Sequence, residues 1–318
     1  MILPYILLIV GFVLLIKGAD LAVSGGSGVA EHFRISPVII GLTVIAFGTS
    51  LPEMAVSVTG SLSGQSGIAV GNVLGSNVFN LLVVGGLSAL LRPMNVDRNL
   101  LKRDMPVSLA AAVLVAIFAA PAFFRGGEVF QIGRVGGLVM LALFAGFMAM
   151  LLAAAKKDRA ETEALAAETR RLWLNVVLTV CGLAAIVVGS DLVVDSATKI
   201  AYSFGLSETF VGLTIVSVGT SLPELVTSLI AAKKGSNDIA LGNIIGSNIF
   251  NILLVLALAA AISPVTVPSY LFIDAALLIA VTVATMIFCG RDQKLGRWEG
   301  LSLFLVYVVY FVYIFMRG

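Results

Sequence analysis

One segment occurs twice in this chain at a constant offset. GLTVIAFGTSLPE (41–53) returns as GLTIVSVGTSLPE (212–224), IAVGNVLGSNVFN (68–80) as IALGNIIGSNIFN (239–251), and GADLAV (18–23) as GSDLVV (189–194), each 171 residues later. About half of the positions from 41 to 80 are identical to their partners, without a gap. Chance does not produce that, so the chain is a duplicated unit. Its fold must be one that two copies of a single substructure can build.

The nature of the unit follows from hydropathy. The mean hydropathy is +1.07 and 59% of residues are hydrophobic, more than a soluble core needs. Charged residues make up 12%, against roughly 25% in soluble domains. Apolar runs of about 20 residues, each long enough to cross a bilayer as a helix, fall at 2–25, 37–62, 67–91, 103–123, 130–154, 173–196, 208–232, 237–262, 267–289 and 299–316. The expected fold is therefore an all-α polytopic membrane protein of ten transmembrane helices. MILPYILLIV lacks the charged n-region and cleavage site of a signal peptide and is taken as the first span. Residues 1–155 form the first five-helix repeat and 172–318 the second. The polar segment KKDRAETEALAAETRR (156–171) joins them as a short cytoplasmic linker helix.

Five spans is an odd number, so the second unit enters the membrane from the opposite face. This is the inverted repeat of secondary transporters, whose binding sites lie near the midplane between the repeats. Positive charge agrees. With the N-terminus outside, Arg34, Arg92, Arg98, Lys102, Arg103, Lys156, Lys157, Arg159, Arg170, Arg171, Lys233, Lys234, Arg291, Lys294 and Arg297 are cytoplasmic, and only Arg125, Arg134 and Arg317 are outside. That bias sets the orientation and puts both termini outside, in the periplasm if the membrane is an inner membrane. The loop after span 2 (SLSGQSG) has no basic residue, whereas its counterpart AAKKGSN has two. The same loop faces opposite sides in the two copies.

The repeated residues suggest a chemistry. Pro52 and Pro223 have no N–H, so the carbonyls of Gly48 and Gly219 lose their helical donors. Freed carbonyls at membrane depth are tolerated only where they are buried in protein or line a polar cavity. Thr49, Ser50, Thr220 and Ser221 add hydroxyls to the same turns, and Glu53 and Glu224 add carboxylates, which by default mark an ion or proton path. Ser76 and Asn80 share a helix face, as do Ser247 and Asn251. Gly71 with Gly75, and Gly242 with Gly246, have the spacing that lets helices approach closely. Carboxylates, hydroxyls, amide and backbone oxygens without thiolate or imidazole suit a hard cation such as Ca2+ or Na+. A single Pro-Ser-Thr kink, or one buried Glu, is often only structural. Two copies related by inversion are much harder to explain that way.

These blocks resemble the two alpha-repeats of the calcium/cation antiporter superfamily, and specifically the sodium/calcium exchangers. The short linker is similar to that of the compact prokaryotic members. The resemblance covers the whole layout and is most specific over 41–84 and 212–255. It implies an antiporter that exchanges Na+ for Ca2+ by alternating access, typically three Na+ for one Ca2+, in a cell (inner) membrane. Spans 2, 3, 7 and 8 would hold the ions. Glu53 and Glu224 would bind Ca2+ with the backbone carbonyls of Thr49 and Thr220. One Na+ site would use Ser50, Ser76 and the carbonyl of Ala46; the other would use Ser221, Ser247 and the carbonyl of Ser217. Spans 1 and 6 would slide across this core. The family often has Asp where this chain has Asn251, and Ala where it has Ser217. With Asn80 and Asn251 both neutral, two carboxylates remain in the expected core. An H+/Ca2+ or other cation antiporter of the same fold is the alternative, since proton coupling needs only carboxylates. The bundle of hydroxyls beside each Glu favours Na+.

Other function classes fare worse. GGSG (25–28) matches the G-x-S-G of intramembrane serine proteases, but that chemistry needs a histidine base, and His32 is the only histidine. No phosphate-binding G-x-x-x-x-G-K-[ST] motif is present for a pump. No enzyme activity, cofactor, nucleic acid or obligate protein partner is expected; the partners are the bilayer and the transported ions. Cys181 and Cys289 lie in different spans without metal-ligand spacing. Asp20 and Asp191 are repeat partners with an expected structural or gating role: capping a helix break, lining an entrance or, for Asp20, pairing with Lys17. Lys17 and Lys199 are expected to snorkel. Asp238 is expected to favour a helix N-terminus.

Overall fold

A computed structural model describes residues 2–64, 66–124, 130–161, 172–204 and 217–317. Among them, eight helices are long and apolar enough to cross a membrane, and the bent pair Pro37–Thr49 and Leu51–Leu62 raises the number to nine if it is one broken span and not a re-entrant loop. The expected span 208–232 begins outside the described residues. Its later part is a short turn, Ser217–Gly219, and the helix Leu222–Lys234. The helix Arg134–Glu161 runs through 156–161, so the start of the expected linker continues the fifth span. Residues 162–171 lie outside the described set.

Two spans are longer than expected. The helices Ile2–Phe33 and Leu172–Ser203 have 32 residues each, about 48 Å of helix against a hydrocarbon core of ~30 Å. Hydropathy ended the first of them at residue 25, in the SGGSG run. Glycine weakens an isolated helix by about 1 kcal/mol relative to alanine, but here tertiary packing overrides propensity. The two helices lie antiparallel along each other. A Cβ on Gly18 would sit 2.8 Å from the carbonyl oxygen of Gly182, and one on Gly25 would sit 2.6 Å from that of Asn175. Only glycine permits that approach. The helix is continuous through Asp20, which therefore caps no break.

The centre of the molecule is the pair of spans Ala69–Leu91 and Asn237–Ile262, whose apolar windows are 83% buried, against 17% for Arg134–Lys157 and Arg297–Met316. These two spans contain the repeated GNxxGSNxFN blocks. Each widens its hydrogen bonding from i→i+4 to i→i+5 at the same place: a π-helical segment begins at Asn80 (Asn80–Gly85) and another at Asn251 (Asn251–Leu256). Further π segments occur at Gly41–Ile45 and Leu100–Asp104. Such widened turns concentrate at functional sites.

The expected all-α class needs one addition. Met94–Asn95 pairs antiparallel with Lys294–Leu295, and Phe130–Ile132 pairs with Val265–Val267. These ribbons join connections between helices, where backbone groups have no helical partner and find one across the loop. Asp238 lies in the first turn of the helix Asn237–Phe250, as expected of a helix N-terminal charge.

Candidate functional site

The site is built where two helices are interrupted. Ser50 (φ −86°, ψ 8°) separates Ala46–Thr49 from Leu51–Leu62, and Ser221 (φ −94°, ψ 6°) precedes Leu222–Lys234. The first break bends the span by 49°. In both copies the order is serine, leucine, proline, glutamate. Proline supplies the fixed φ of a helix start, and glutamate falls in the first turn, where the helix dipole favours a carboxylate. Local sequence thus places Glu53 and Glu224 at equivalent positions on the two restarted helices. Both are fully buried.

Serine hydroxyls from both repeats surround each carboxylate. Ser221 Oγ lies 3.0 Å from Glu53 Oε1 and 3.0 Å from Ser76 Oγ, and Ser76 Oγ is 3.5 Å from the same carboxylate oxygen. Ser50 Oγ donates to Glu224 Oε1 at 3.0 Å, and Ser247 Oγ donates to it at 3.3 Å. The expectation grouped Ser50 with Ser76 and Ser221 with Ser247. The hydrogen bonds run crosswise instead: Ser50 and Ser247 meet on Glu224, and Ser76 and Ser221 meet on Glu53. Spacing along one repeat could not show this, because each break faces the other repeat's central helix.

The other expected residues also have places. Thr49 Oγ1 donates to Asn243 Oδ1 at 3.0 Å and lies 3.5 Å from Ser247 Oγ. The carbonyl of Ala46 accepts from Ser50 N at 3.0 Å and from Thr49 Oγ1 at 3.4 Å. Thr220 Oγ1 is buried without a partner among the described residues. Ser217 opens the short turn Ser217–Gly219. Asn80 and Asn251 are fully buried. Gly242 and Gly246 do bring helices close: their added Cβ atoms would lie 3.0 Å from Gly41 Cα and 2.8 Å from Leu42 Cα. Nothing comparable lies within 4 Å of Gly71 or Gly75 among the described residues. The segment corresponding to 41–45 in the other repeat, 212–216, falls outside that set.

Four asparagines were visible in the repeated blocks and passed over: Asn72, Asn77, Asn243 and Asn248. Asn72 Nδ2 donates to Ser57 Oγ (3.0 Å) and to the carbonyl of Glu53 (3.3 Å). Asn243 Nδ2 donates to Ser228 Oγ (3.0 Å) and to the carbonyl of Glu224 (3.5 Å). These amides hold the restarted helices against the central spans. The signal was present, since a buried amide in an apolar segment needs partners.

Hydrogen-bond accounting isolates the atoms left for a ligand. Several buried side-chain atoms among the described residues have no partner, but only two pairs of them recur at the repeat offset: Glu53 Oε2 with Glu224 Oε2, and Asn80 Oδ1 with Asn251 Oδ1. An unsatisfied buried acceptor costs about 1–3 kcal/mol, and more when charged. These four oxygens, symmetric by repeat, are carboxylate and amide donors of the kind that suits a hard cation. Among the described residues no group of three or more His, Cys, Asp or Glu forms, so the site's charge is that of two carboxylates.

Known proteins resemble this chain over nearly its whole length. The family model described as sodium/calcium exchanger protein matches residues 3–153 and 174–316. The chain is 39% identical over 313 residues to the inner membrane protein YrbG of Escherichia coli, covering 95% of this chain and 94% of that one. It is 35% identical to the sodium/calcium exchanger MaX1 of Methanosarcina acetivorans, covering 98% of both. Among solved structures, it matches the sodium-calcium exchanger NCX_Mj soaked with Na+ and Sr2+, with a TM-score of 0.84, 33% identity and 97% of each chain covered.

Proposed function

The chain belongs to the sodium/calcium exchanger protein family, and from that premise we propose that it is a secondary antiporter exchanging Na+ for Ca2+ by alternating access. Its ten spans form two inverted repeats in a cell (inner) membrane, with both termini outside. The observation that carries this is the orphaned carboxylate oxygen and the orphaned amide oxygen found in each repeat at one offset. Ca2+ binds between Glu53 and Glu224 with the backbone carbonyls of Thr49 and Thr220. Na+ ions flank it, one near Ser50, Ser247 and Glu224, the other near Ser76, Ser221 and Glu53. Asn80 and Asn251 contribute amide oxygens, and Ala46 and Ser217 contribute carbonyls at the break.

Differences between the repeats support an alternating mechanism. With the N-terminus outside, Pro37–Thr49 occupies the cytoplasmic half of its span. It packs tightly on Asn237–Phe250 through Gly41 against Gly242 and through the Thr49–Asn243 bond. In the other repeat Thr220 Oγ1, the counterpart of Thr49 Oγ1, has no partner among the described residues. In this reading the packing of Pro37–Thr49 closes the cytoplasmic approach along its span. Lys234 adds a fastening on the same side. It pairs with Asp20 at 2.7 Å and donates to Ser24 Oγ (2.7 Å) and to the carbonyl of Asp20 (2.9 Å). It ties the helix Ile2–Phe33, proposed to slide together with Leu172–Ser203, to the core. Asp20 therefore pairs with Lys234 rather than Lys17. The residue equivalent to Lys234 in the first repeat is Ser63.

Two hydrogen bonds of about 1 kcal/mol each and a half-exposed ion pair adding under ~1 kcal/mol bias the protein outward. Lys234→Ser is expected to tighten the apparent affinity for cytoplasmic Ca2+ by about 30- to 100-fold, since these terms sum to about 2–3 kcal/mol and 1.4 kcal/mol is one decade. Ca2+ titrations on sidedness-controlled vesicles measure it. Equal affinities in variant and parent would deny Lys234 this role.

The coupling ion is tested by Ca2+ uptake into proteoliposomes loaded with Na+ or with acid. Uptake should follow the Na+ gradient and persist when the pH gradient is collapsed. Uptake driven by pH and indifferent to Na+ assigns the chain to H+/Ca2+ exchange instead.

A further inference from the structure

Around the boundary between the repeats, four buried asparagine amides are joined into two crossed chains of hydrogen bonds. Asn77 Nδ2 donates to the carbonyl of Asn248 at 3.1 Å, and Asn248 Nδ2 donates to the carbonyl of Asn77 at 3.4 Å. A backbone carbonyl can only accept, so these two bonds fix which end of each amide is nitrogen. The oxygens of Asn77 and Asn248 must then face donors. They do: Asn251 Nδ2 donates to Asn77 Oδ1 at 3.1 Å, and Asn80 Nδ2 donates to Asn248 Oδ1 at 3.2 Å. All four residues are at most 1% exposed, so water does not compete for these bonds.

The orientation of Asn80 and Asn251 follows. With each nitrogen taken up, the free end of each amide is its oxygen, Asn80 Oδ1 and Asn251 Oδ1, and these are the two orphaned amide oxygens of the site. If Asn80 turned over, its oxygen would meet the oxygen of Asn248, and its NH2 would present hydrogens where a cation is held. A neutral amide can ligate a cation only through oxygen. Here the choice of end is enforced by hydrogen bonds and not left to the ion.

We propose that Asn77 and Asn248 are positioning residues of the ion site, each holding the other repeat's ligand asparagine with its amide oxygen turned toward the ion. This rests on the cation site proposed above and adds a claim that site does not require: the holding crosses between repeats. Asn77 serves Asn251 and not its near neighbour Asn80. Asn248 serves Asn80 and not Asn251. Each half of the site is therefore ordered by the opposite repeat, and separating the repeats at this point would release both ligands together.

The crossed pattern makes the test sharp. Full-length protein carries Asn77→Leu, Asn248→Leu, Asn80→Leu and Asn251→Leu, singly and in pairs, and Ca2+ affinity is measured by equilibrium binding. Each single change is expected to weaken binding about 10-fold. In the cross-repeat pairs, N77L with N251L and N248L with N80L, the second change should add little, because the positioned group is already gone. In the same-repeat pairs, N77L with N80L and N248L with N251L, the losses should multiply to about 100-fold. Non-additivity of this kind is the signature of residues acting through one another. A purely structural role would lower the melting temperature of the ion-free protein and multiply in all four pairs, which would overturn the proposal. Where leucine prevents folding, alanine at the same position is read in the same cycle. If N80L and N251L leave Ca2+ affinity unchanged, the ion site itself is misassigned and the positioning falls with it. If they weaken binding but the cross-repeat pairs multiply, only the positioning falls.

Discussion

Glu53→Gln and Glu224→Gln are each expected to reduce Na+-driven Ca2+ uptake by more than about 100-fold in proteoliposomes. Glutamine keeps the shape and an oxygen for the serine donors at Oε1, so Ser76 and Ser221, or Ser50 and Ser247, retain their bonds. What changes is the other end, Oε2, which has no donor in either residue. There glutamine presents an NH2 to the cation and removes a full negative charge. At ~4 Å and an effective dielectric near 20, one unit charge pair is worth about 4 kcal/mol, and a doubly charged ion loses more, which exceeds two decades in affinity. The ion-free protein should melt no lower than the parent, because a buried carboxylate without a counter-charge is itself costly. The rise in melting temperature that Ca2+ confers on the parent should vanish. Should either variant keep normal Ca2+ affinity, that glutamate does not bind the ion.

Asn251→Asp is expected to act in the opposite direction on binding and the same direction on turnover. It adds a third carboxylate beside the two present, and the Coulomb gain to Ca2+ is several kcal/mol at short range. Two effects oppose this gain. Burying another charge costs several kcal/mol, and the Nδ2–Asn77 Oδ1 bond becomes a contact between two oxygens. The balance favours tighter binding, by about 10-fold, when Ca2+ occupies the site. Release then slows, since transport needs an ion held weakly enough to leave, and maximal exchange should fall by at least about 10-fold. Equilibrium binding and saturating exchange rates on the same preparation separate the two effects. Unchanged Ca2+ affinity would mean that position 251 does not face the ion.

Much of the site was readable because its chemistry is local and doubled. The sequence GTSLPE contains the serine at the break, the proline that starts the next helix and the glutamate in its first turn, and it does so twice. A 171-residue offset marks equivalent positions without any structure. The lengths of the spans were less legible. Hydropathy stopped the first helix at residue 25, because glycine reads as a helix end, whereas packing against Leu172–Ser203 carries it to Phe33. Glycine's poor propensity and its value as a contact surface have opposite consequences, and only the neighbour decides between them. The π segments that begin at Asn80 and Asn251 left no trace in hydrophobic periodicity, since one widened turn shifts the pattern by less than neighbouring core residues blur it.

The chain alone established the class, the duplication, the two carboxylates and the hydroxyl-rich oxygen chemistry around them, because composition, spacing and charge act along the sequence. It could not say who faces whom. That Ser50 serves Glu224 while Ser221 serves Glu53, and that Asn77 holds Asn251 while Asn248 holds Asn80, arises when the two repeats are brought together. Each copy carries the same residues, so pairing within a copy and pairing across copies are equally consistent with the sequence. Burial resolves the choice: Asn72 and Asn243 find partners within their own repeat, whereas Ser50, Ser221, Asn77 and Asn248 meet the other repeat, and with water excluded each takes the partner found there.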